Sequence, residues 1–503
     1  MTAKNKNHLV ILLQGTIISL IGTVVLGLGN FLIRRHLQGN LPPRDFGFLY
    51  AAFSLVTVFL ALLDFGLGQS GTIMMSRRFT AGDNDRAERI YSLMFYLKLG
   101  CGIAMFLLFL IFAPLLVNYY YRYPSGLTAF ILVALLLIFQ SLETCPAAVM
   151  DSLKAFGLKN LLQSLKVVAI FMAVWLLIPR FGIDVAAGIF SAASLLALAV
   201  SLLALRRWKR IRLQSWSRLK RDDALDMWRL CRWVALGAAG MTLIGNADTL
   251  LLTWLRGLVE VGIYNVALAI AQIVQLLSVL PIVFTPIVAE LWHHRAEAEI
   301  GRICALMTTI LFIIFWAVLI GTVLLGGDVL ELAFNTAARA GAAPLLVLCA
   351  AAPLLAAANF FLSALNAGRG AGKAAALIAV GVVADLVLNL LLIPPFGLVG
   401  AALATTLSYG VIAAMSFSAL RRELPSLSLP RRDLIMTGIA GALGLGAAIP
   451  AARAGWSIAA NFGMAAGLLL VYTGLVAPVW WRLYRQARRY LGGGTTAGAN
   501  KNG

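Results

Sequence analysis

Apolar residues run along this chain in blocks of about 20, the length of helix that crosses a bilayer, separated by short polar stretches. Reading each block as one spanning helix predicts fourteen, over residues 9–33, 46–69, 91–113, 127–150, 161–178, 182–205, 230–255, 262–289, 302–325, 342–367, 374–393, 397–420, 433–451 and 456–481. The first block is too long for a signal-peptide core and lacks a small-residue cleavage site, so it reads as a span. Gly326, Gly327 and Asp328 interrupt the segment 326–341, which reads as an outer loop. Gly492, Gly493 and Gly494 open what reads as a disordered tail.

The chain repeats itself at one offset. Asp45-Phe46-Gly47-Phe48 returns as Glu260-Val261-Gly262-Ile263, and Pro179-Arg180-Phe181-Gly182-Ile183 as Pro394-Pro395-Phe396-Gly397-Leu398, each 215 residues later. Asp151-Ser152-Leu153-Lys154 with Gly157 matches Asn366-Ala367-Gly368-Arg369 with Gly372 at the same shift. Three gap-free matches imply an internal duplication. The unit holds six spans, an even number, so both copies enter the membrane the same way and are related by a pseudo-twofold axis along its normal. The expected fold is an all-α polytopic membrane protein with about 14 transmembrane helices: two parallel six-helix lobes and two extra C-terminal helices. The expected divisions are 1–229 (first lobe and linker), 230–432 (second lobe), 433–490 (the last two spans) and 491–503 (tail).

Composition excludes the soluble alternative, because 61% of residues are hydrophobic and 12% charged, too few to coat soluble domains. The net charge of +20 would suggest nucleic acid, but its placement does not. With the N-terminus inside, the inner segments hold 31 of the 41 basic residues and the outer loops 8, with Lys98 and Lys166 inside spans. That asymmetry places both termini in the cytoplasm. The five cysteines, Cys101, Cys145, Cys231, Cys304 and Cys349, form no CxxC pair, and His8, His36, His293 and His294 form no metal-ligand cluster. No P-loop motif is present, and the short outer loops oppose a membrane-embedded enzyme of glycan assembly. Transport, without catalysis, is the class that remains, with no cofactor beyond a possible coupling proton or sodium ion.

Charged side chains inside spans need partners or a water-filled cavity, at about 2.5–3.5 kcal/mol each near the bilayer centre. Asp64, Lys98, Glu143 and Lys166 fall at similar depth toward the cytoplasmic ends of spans 2 to 5, as a possible network lining an inner vestibule. Asp248 and Asp385 lie deeper, in spans 7 and 11. Uncharged polar residues form stripes at helical spacing: Thr16, Ser19, Thr23 and Asn30; Ser54 and Thr57 with Asp64; Asn246, Thr249 and Thr253; Asn265, Gln272 and Gln275; Asn359, Ser363 and Asn366; and Asn389 one turn from Asp385. Such stripes either bond helix to helix or line a central cavity. The basic segment Arg206–Arg232, with Trp208, Trp216 and Trp228, reads either as a helix in the headgroup layer or as an ordinary linker between lobes.

Several motifs carry a resemblance. Gln14-Gly15-Thr16, Leu41-Pro42-Pro43-Arg44-Asp45-Phe46-Gly47 and Leu63-Asp64-Phe65-Gly66-Leu67-Gly68 stand in the first lobe. Ala247-Asp248-Thr249-Leu250-Leu251-Leu252, Val261-Gly262-Ile263-Tyr264 and Phe396-Gly397-Leu398-Val399-Gly400-Ala401-Ala402 stand in the second. In order and spacing they resemble the Wzx-like oligosaccharide flippases, the polysaccharide transport branch of the multidrug/oligosaccharidyl-lipid/polysaccharide exporter superfamily. The resemblance spans residues 9 to 480. It implies a V-shaped pair of lobes that alternates its access. The implied cargo is a polyprenyl-pyrophosphate-linked oligosaccharide, moved from the inner to the outer leaflet of a bacterial plasma membrane for a surface polysaccharide such as O-antigen, lipopolysaccharide or exopolysaccharide. The implied partners are membrane lipids and polysaccharide polymerase or export machinery, with no nucleic acid. Related peptidoglycan-precursor flippases carry arginines inside their first and eighth spans; here only Arg34 and Arg35 stand at the outer end of span 1, which leaves Arg34, Lys98 and Lys166 as candidates for phosphate contact. The rival within the superfamily is a drug/cation antiporter using Asp64, Asp248 or Asp385.

Overall fold

The computed structural model describes residues 3–209, 211–218, 220–276, 288, 290–292, 296–368, 371–425, 427, 429–454 and 456–492. Of the residues named above, 277–287, His293, His294, Arg369 and the tail from Gly493 lie outside the described residues, as do the side chains of His8, Gln14, Thr16, Ser19, Trp208 and Arg232. Every long element is helical, and there is no strand among the described residues. The first half comprises α1 (Ala3–Asn40), α2 (Pro43–Asp64), α3 (Leu67–Thr80), α4 (Asn84–Leu115), α5 (Leu127–Ala134), α6 (Leu136–Ser152) and α7 (Phe156–Ala204). The second comprises α8 (Arg221–Leu255), α9 (Leu258–Gln275), α10 (Glu297–Ala333), α11 (Ala342–Ala367) and α12 (Ala371–Glu423). Two further helices follow, α13 (Arg431–Arg453) and α14 (Ile458–Gly492).

Local chemistry explains the boundaries. Pro43 opens α2, where a missing N–H costs nothing. Asp83 caps α4 by accepting from the Arg86 backbone N–H at 3.1 Å. Phe65 (φ 44°) and Gly66 (φ 69°) form a left-handed step that ends α2 and restarts the chain as α3, so the second apolar block is bent.

Ten helical segments among the described residues are long and apolar enough to cross a membrane, against the fourteen spans read from sequence. Two of the ten, 156–207 and 372–423, hold 52 residues each, about 78 Å of helix and more than twice the hydrocarbon thickness. Each is broken at a glycine, Gly182 (φ 73°) and Gly397 (φ 55°), and so holds two of the sequence blocks without an intervening loop. Helices α1 and α8, of 38 and 35 residues, cover the first and seventh blocks.

The 215-residue offset reappears in the backbone. Helices α2 and α9 start 215 residues apart, as do α7 and α12; α6 and α11 end 215 apart, and so do the two breaks at Gly182 and Gly397. The halves meet where α2 crosses α8 and α9. At that crossing Gly47 and Gly262, themselves 215 apart, bring two backbones together: a Cβ on Gly47 would overlap the Leu258 carbonyl, and one on Gly262 would lie 3.1 Å from the Pro43 carbonyl oxygen. Tyr120 donates to the Leu250 carbonyl at 2.7 Å nearby. At the opposite end, the start of α8 rests on α3 and α4. Asp223, buried, takes Arg86 at 2.7 Å and Arg89 at 3.5 Å, and Trp228 stacks on Phe65 at 5.4 Å between ring centroids.

Two sequence expectations change. The segment 326–341 is not a loop: Gly326, Gly327 and Asp328 continue α10 to Ala333, and Asn335 then caps a 3-10 turn over Thr336–Gly341. Asp328 is tolerated there because Asn461 of α14 donates to it at 2.7 Å and Arg339 pairs with it at 3.3 Å. Of the two readings of Arg206–Arg232, the linker is the one that fits, since residues 211–215 are non-helical and α8 begins at Arg221. Gln214 is buried against α4, its N–H on Ser92 Oγ at 2.8 Å and its carbonyl accepting from Tyr96 at 3.1 Å. Leu491 and Gly492, assigned to the tail, are still helical.

Helices α13 and α14 pack on α10. Ile320 and Leu324 meet Ala448 and Val476, and Tyr472 donates to the Ile313 carbonyl at 2.9 Å. The outer surface of the bundle is apolar: Ile111 is 73% exposed, Leu470 72% and Leu176 65%. Such a continuous apolar exterior belongs against lipid tails.

Candidate functional site

Helices α6 and α7 run antiparallel and offer facing polar stripes. On α6, Gln140, Glu143, Ala147 and Asp151 share one face; on α7, Lys159, Gln163, Lys166 and Ile170 share another. The two faces zip charge to charge. Lys166 Nζ lies 2.6 Å from Glu143 Oε2, and Lys159 Nζ lies 2.7 and 2.9 Å from the two oxygens of Asp151. Between these helices and α1, α2 and α3 opens a cavity of about 820 Å³, into which Asp64, Gln69, Thr72 and Thr144 also project, with Phe53 and Phe190 on its wall.

Lys98 stands behind that wall, fully buried. Its ammonium donates to Asp64 Oδ1 and to Thr144 Oγ1, each at 2.5 Å. The Asp64 side chain remains 31% exposed, so the half of this pair that the cavity sees is the carboxylate. Four intramembrane charges that sequence reading grouped as one network are therefore two separate pairs, Asp64 with Lys98 and Glu143 with Lys166. Asp151 and Lys159 form a third, which that reading did not single out as a site. The signal was present in the helical spacing of Glu143 to Asp151 and of Lys159 to Lys166. A glutamine count would likewise have marked Gln69, Gln140 and Gln163.

The second half carries a different group. Asp248 on α8, Asp385 and Asn389 on α12, and Tyr264 on α9 are all buried. Tyr264 donates its hydroxyl to Asp248 Oδ2, and the Thr249 N–H donates to Oδ1 at 2.6 Å. Asn389 donates to Asp385 Oδ2 at 3.1 Å and to the Asp385 carbonyl at 2.9 Å, one turn back as its spacing predicted. Asp385 Oδ1 and Asn389 Oδ1 have no hydrogen-bond partner. Among the described residues no lysine or arginine pairs with either acid. Buried carboxylates without a counter-cation are costly; the orphaned oxygens fit a proton or a small cation.

Other expected residues lie elsewhere. Arg34 stacks over Tyr50, 4.5 Å from the ring centroid, and donates to the Asn265 carbonyl at 3.1 Å, so it bridges α1, α2 and α9. Asn246 and Asn265 donate to carbonyls four residues back in their own helices, and Thr253 does the same. Gln272 is exposed and Gln275 half-buried.

The fold is that of known membrane transporters. An inward-closed structure of the lipid II flippase MurJ superposes with a TM-score of 0.70 at 12% identity, over 93% of this chain and 99% of that one. An inward-facing multidrug resistance MATE family transporter gives 0.68 at 16% identity, over 80% and 95%. A transporter of the same superfamily from Pyrococcus furiosus, whose binding pocket is described as of reverse polarity, gives 0.62 at 16% identity, over 83% and 96%. In sequence, an uncharacterized membrane protein of Methanocaldococcus jannaschii is 23% identical over 407 residues, 76% of this chain and 78% of the relative. The class these define is a polytopic membrane protein with the fold of the multidrug/oligosaccharidyl-lipid/polysaccharide exporter superfamily. Within it, residues 12–292, more than half of the chain, match the family described as "Polysaccharide biosynthesis protein", and the chain belongs to that family.

Proposed function

We propose that this protein is a flippase that carries a polyprenyl-pyrophosphate-linked oligosaccharide from the inner to the outer leaflet of a bacterial plasma membrane, with both termini cytoplasmic. The observation that carries the reading is the 820 Å³ cavity, polar and ion-paired, inside one half of an otherwise lipid-facing bundle that belongs to a polysaccharide biosynthesis family. A glycan crosses in such a cavity while its lipid tail stays in the bilayer. The halves touch at both ends, through Gly47 and Gly262 at one and Asp223 with Arg86 and Arg89 at the other. Alternating access then consists of breaking one set of contacts while the other holds.

Asp248 and Asp385, with Asn389, supply the coupling site in this reading: they hold a proton or sodium ion in one state and release it in the other. That role is shared with the drug/cation antiporters of the superfamily, so it does not by itself decide the cargo. Membrane lipids and polysaccharide polymerase or export machinery are the partners this function requires.

A deletion strain tests it, scored for surface polysaccharide and for the sidedness of its lipid-linked oligosaccharide. The expected result is intermediate trapped in the inner leaflet with no surface product. Normal glycan and normal sidedness, in a strain without a redundant flippase, would overturn the proposal and favour the antiporter.

A further inference from the structure

The charge inside the first-half cavity is balanced pair by pair. Lys98 is fully buried with two of its three donors committed, Lys159 bridges both oxygens of Asp151, and Lys166 is on Glu143. Among the described residues no cavity lysine is left for a second anion. A uronate or phosphate entering here would have to break one of these pairs, stranding a carboxylate, or sit against Asp64, whose carboxylate faces the cavity while its lysine lies behind it. Both outcomes leave a partly desolvated charge uncompensated. A pyrophosphate is excluded more strongly, because it brings more than one negative charge.

What the cavity offers instead is neutral hydrogen bonding. Gln69, Gln140 and Gln163 each present an acceptor oxygen and a donor amide, and Thr57 presents a hydroxyl. That set matches sugar hydroxyls and N-acyl groups, which also donate and accept. Phe53 and Phe190, in edge contact at 4.7 Å, give an apolar wall for the C–H face of a sugar ring. The volume falls in the range of about 300–1,000 Å³ in which pockets enclose most of a small ligand.

We infer that this cavity receives the glycan and selects sugars without net charge, leaving the pyrophosphate outside it. The inference rests on the flippase reading and narrows its cargo. Arg34, Lys98 and Lys166 are then not phosphate ligands, since each already has a protein partner.

The test uses the full chain in liposomes with two synthetic donors on the same polyprenyl pyrophosphate. One bears an oligosaccharide of N-acetylhexosamines, the other the same glycan ending in a uronic acid. Wild-type protein should move the uncharged donor faster by about tenfold or more, the factor set by about 1.4 kcal/mol of uncompensated charge. Glu143→Gln frees Lys166 and should raise the rate for the uronate donor; Glu143→Gln with Lys166→Gln restores neutrality and should restore the discrimination. If Glu143→Gln does not fold, Asp151→Asn creates the same imbalance through Lys159. Equal rates in wild type would overturn the inference, as would discrimination unchanged in a single variant that melts at the wild-type temperature. A folded wild type that moves neither donor would instead sink the flippase reading, and this inference with it.

Discussion

The crossing of α2 and α9 is the place where one methyl group should change which way the protein opens. Gly47 has no room for a Cβ, because the Leu258 carbonyl occupies that space, and a backbone carbonyl cannot rotate away as a side chain can. Gly47→Ala must therefore push α2 and α9 apart. Overpacking of this kind costs about 1–3 kcal/mol, and the backbone partner puts the cost in the upper half of that range. The cost falls only on states in which the helices touch here, so it shifts the conformational equilibrium by about 30–150-fold toward the state open at this end. Gly262→Ala is the graded control: its Cβ would sit 3.1 Å from the Pro43 carbonyl oxygen, a contact that a few tenths of an ångström relieves. Spin labels on Ser125→Cys and Ala337→Cys, both exposed and one in each half, read the opening as a distance distribution once Cys101→Ser has removed the exposed native thiol. The long-distance population should rise most in Gly47→Ala, less in Gly262→Ala. An unchanged distribution in folded Gly47→Ala would refute the idea that this contact closes the bundle.

Three more outcomes follow from the charged contacts. Lys98→Met strands Asp64 and should lower stability in detergent by about 3 kcal/mol, most of it recovered in Lys98→Met with Asp64→Asn; a single variant as stable as the double would show that the pair contributes nothing. Asp385→Asn and Asp248→Asn should insert and melt no lower than wild type, since each removes a buried uncompensated charge, yet their export should lose its response to a proton or sodium gradient; full gradient-dependent export by both would remove them from coupling. Asp223→Ala with Asp226→Ala releases Arg86 and Arg89 from the start of α8, at the about 1.5–3 kcal/mol of a charge-assisted contact. It should therefore speed maleimide labelling of the buried Cys231 by about tenfold or more, and an unchanged labelling rate would show that this end is not held by the pair.

Repeat geometry was legible in the sequence because glycine and proline mark it. Where a break needs a positive φ, as at Gly182 and Gly397, only glycine adopts it freely, so the two breaks stand in the sequence at the spacing found in the backbone. The boundaries between spans were less legible. Hydropathy separates blocks by their polar gaps, and at Gly182 the gap is one non-helical residue between two helices rather than a loop. Segment 326–341 was misread for the opposite reason: Gly326, Gly327 and Asp328 are loop-like locally, but tertiary partners Arg339 and Asn461 make helix the better state for Asp328. For the cavity, the four deep charges were visible as anomalies in apolar blocks. Asp151 and Lys159 were not, because they sit at helix ends where charge is ordinary, and only the antiparallel packing of α6 on α7 turns them inward. Which charges pair also needed the fold, since Asp64 and Lys98 are 34 positions apart.

The duplication also shows how two tasks came to share one frame. Shifted by 215, Lys98, Glu143, Lys166 and Lys159 fall on Ile313, Ala358, Gly381 and Ala374, while Asp248, Asp385 and Asn389 fall back on Ile33, Ile170 and Val174. Not one of these polar groups is matched at its counterpart. After copying, each half kept the ancestral bends and contact glycines and discarded or acquired its own chemistry. A chimera carrying two first halves would therefore assemble a bundle with two ion-paired cavities and no buried acid pair. Its mirror, with two second halves, would hold two buried acid pairs and no such cavity. Heredity here has separated shape from occupation: mutations at the repeated glycines are answerable to both halves at once, whereas a lysine or an aspartate answers only to its own.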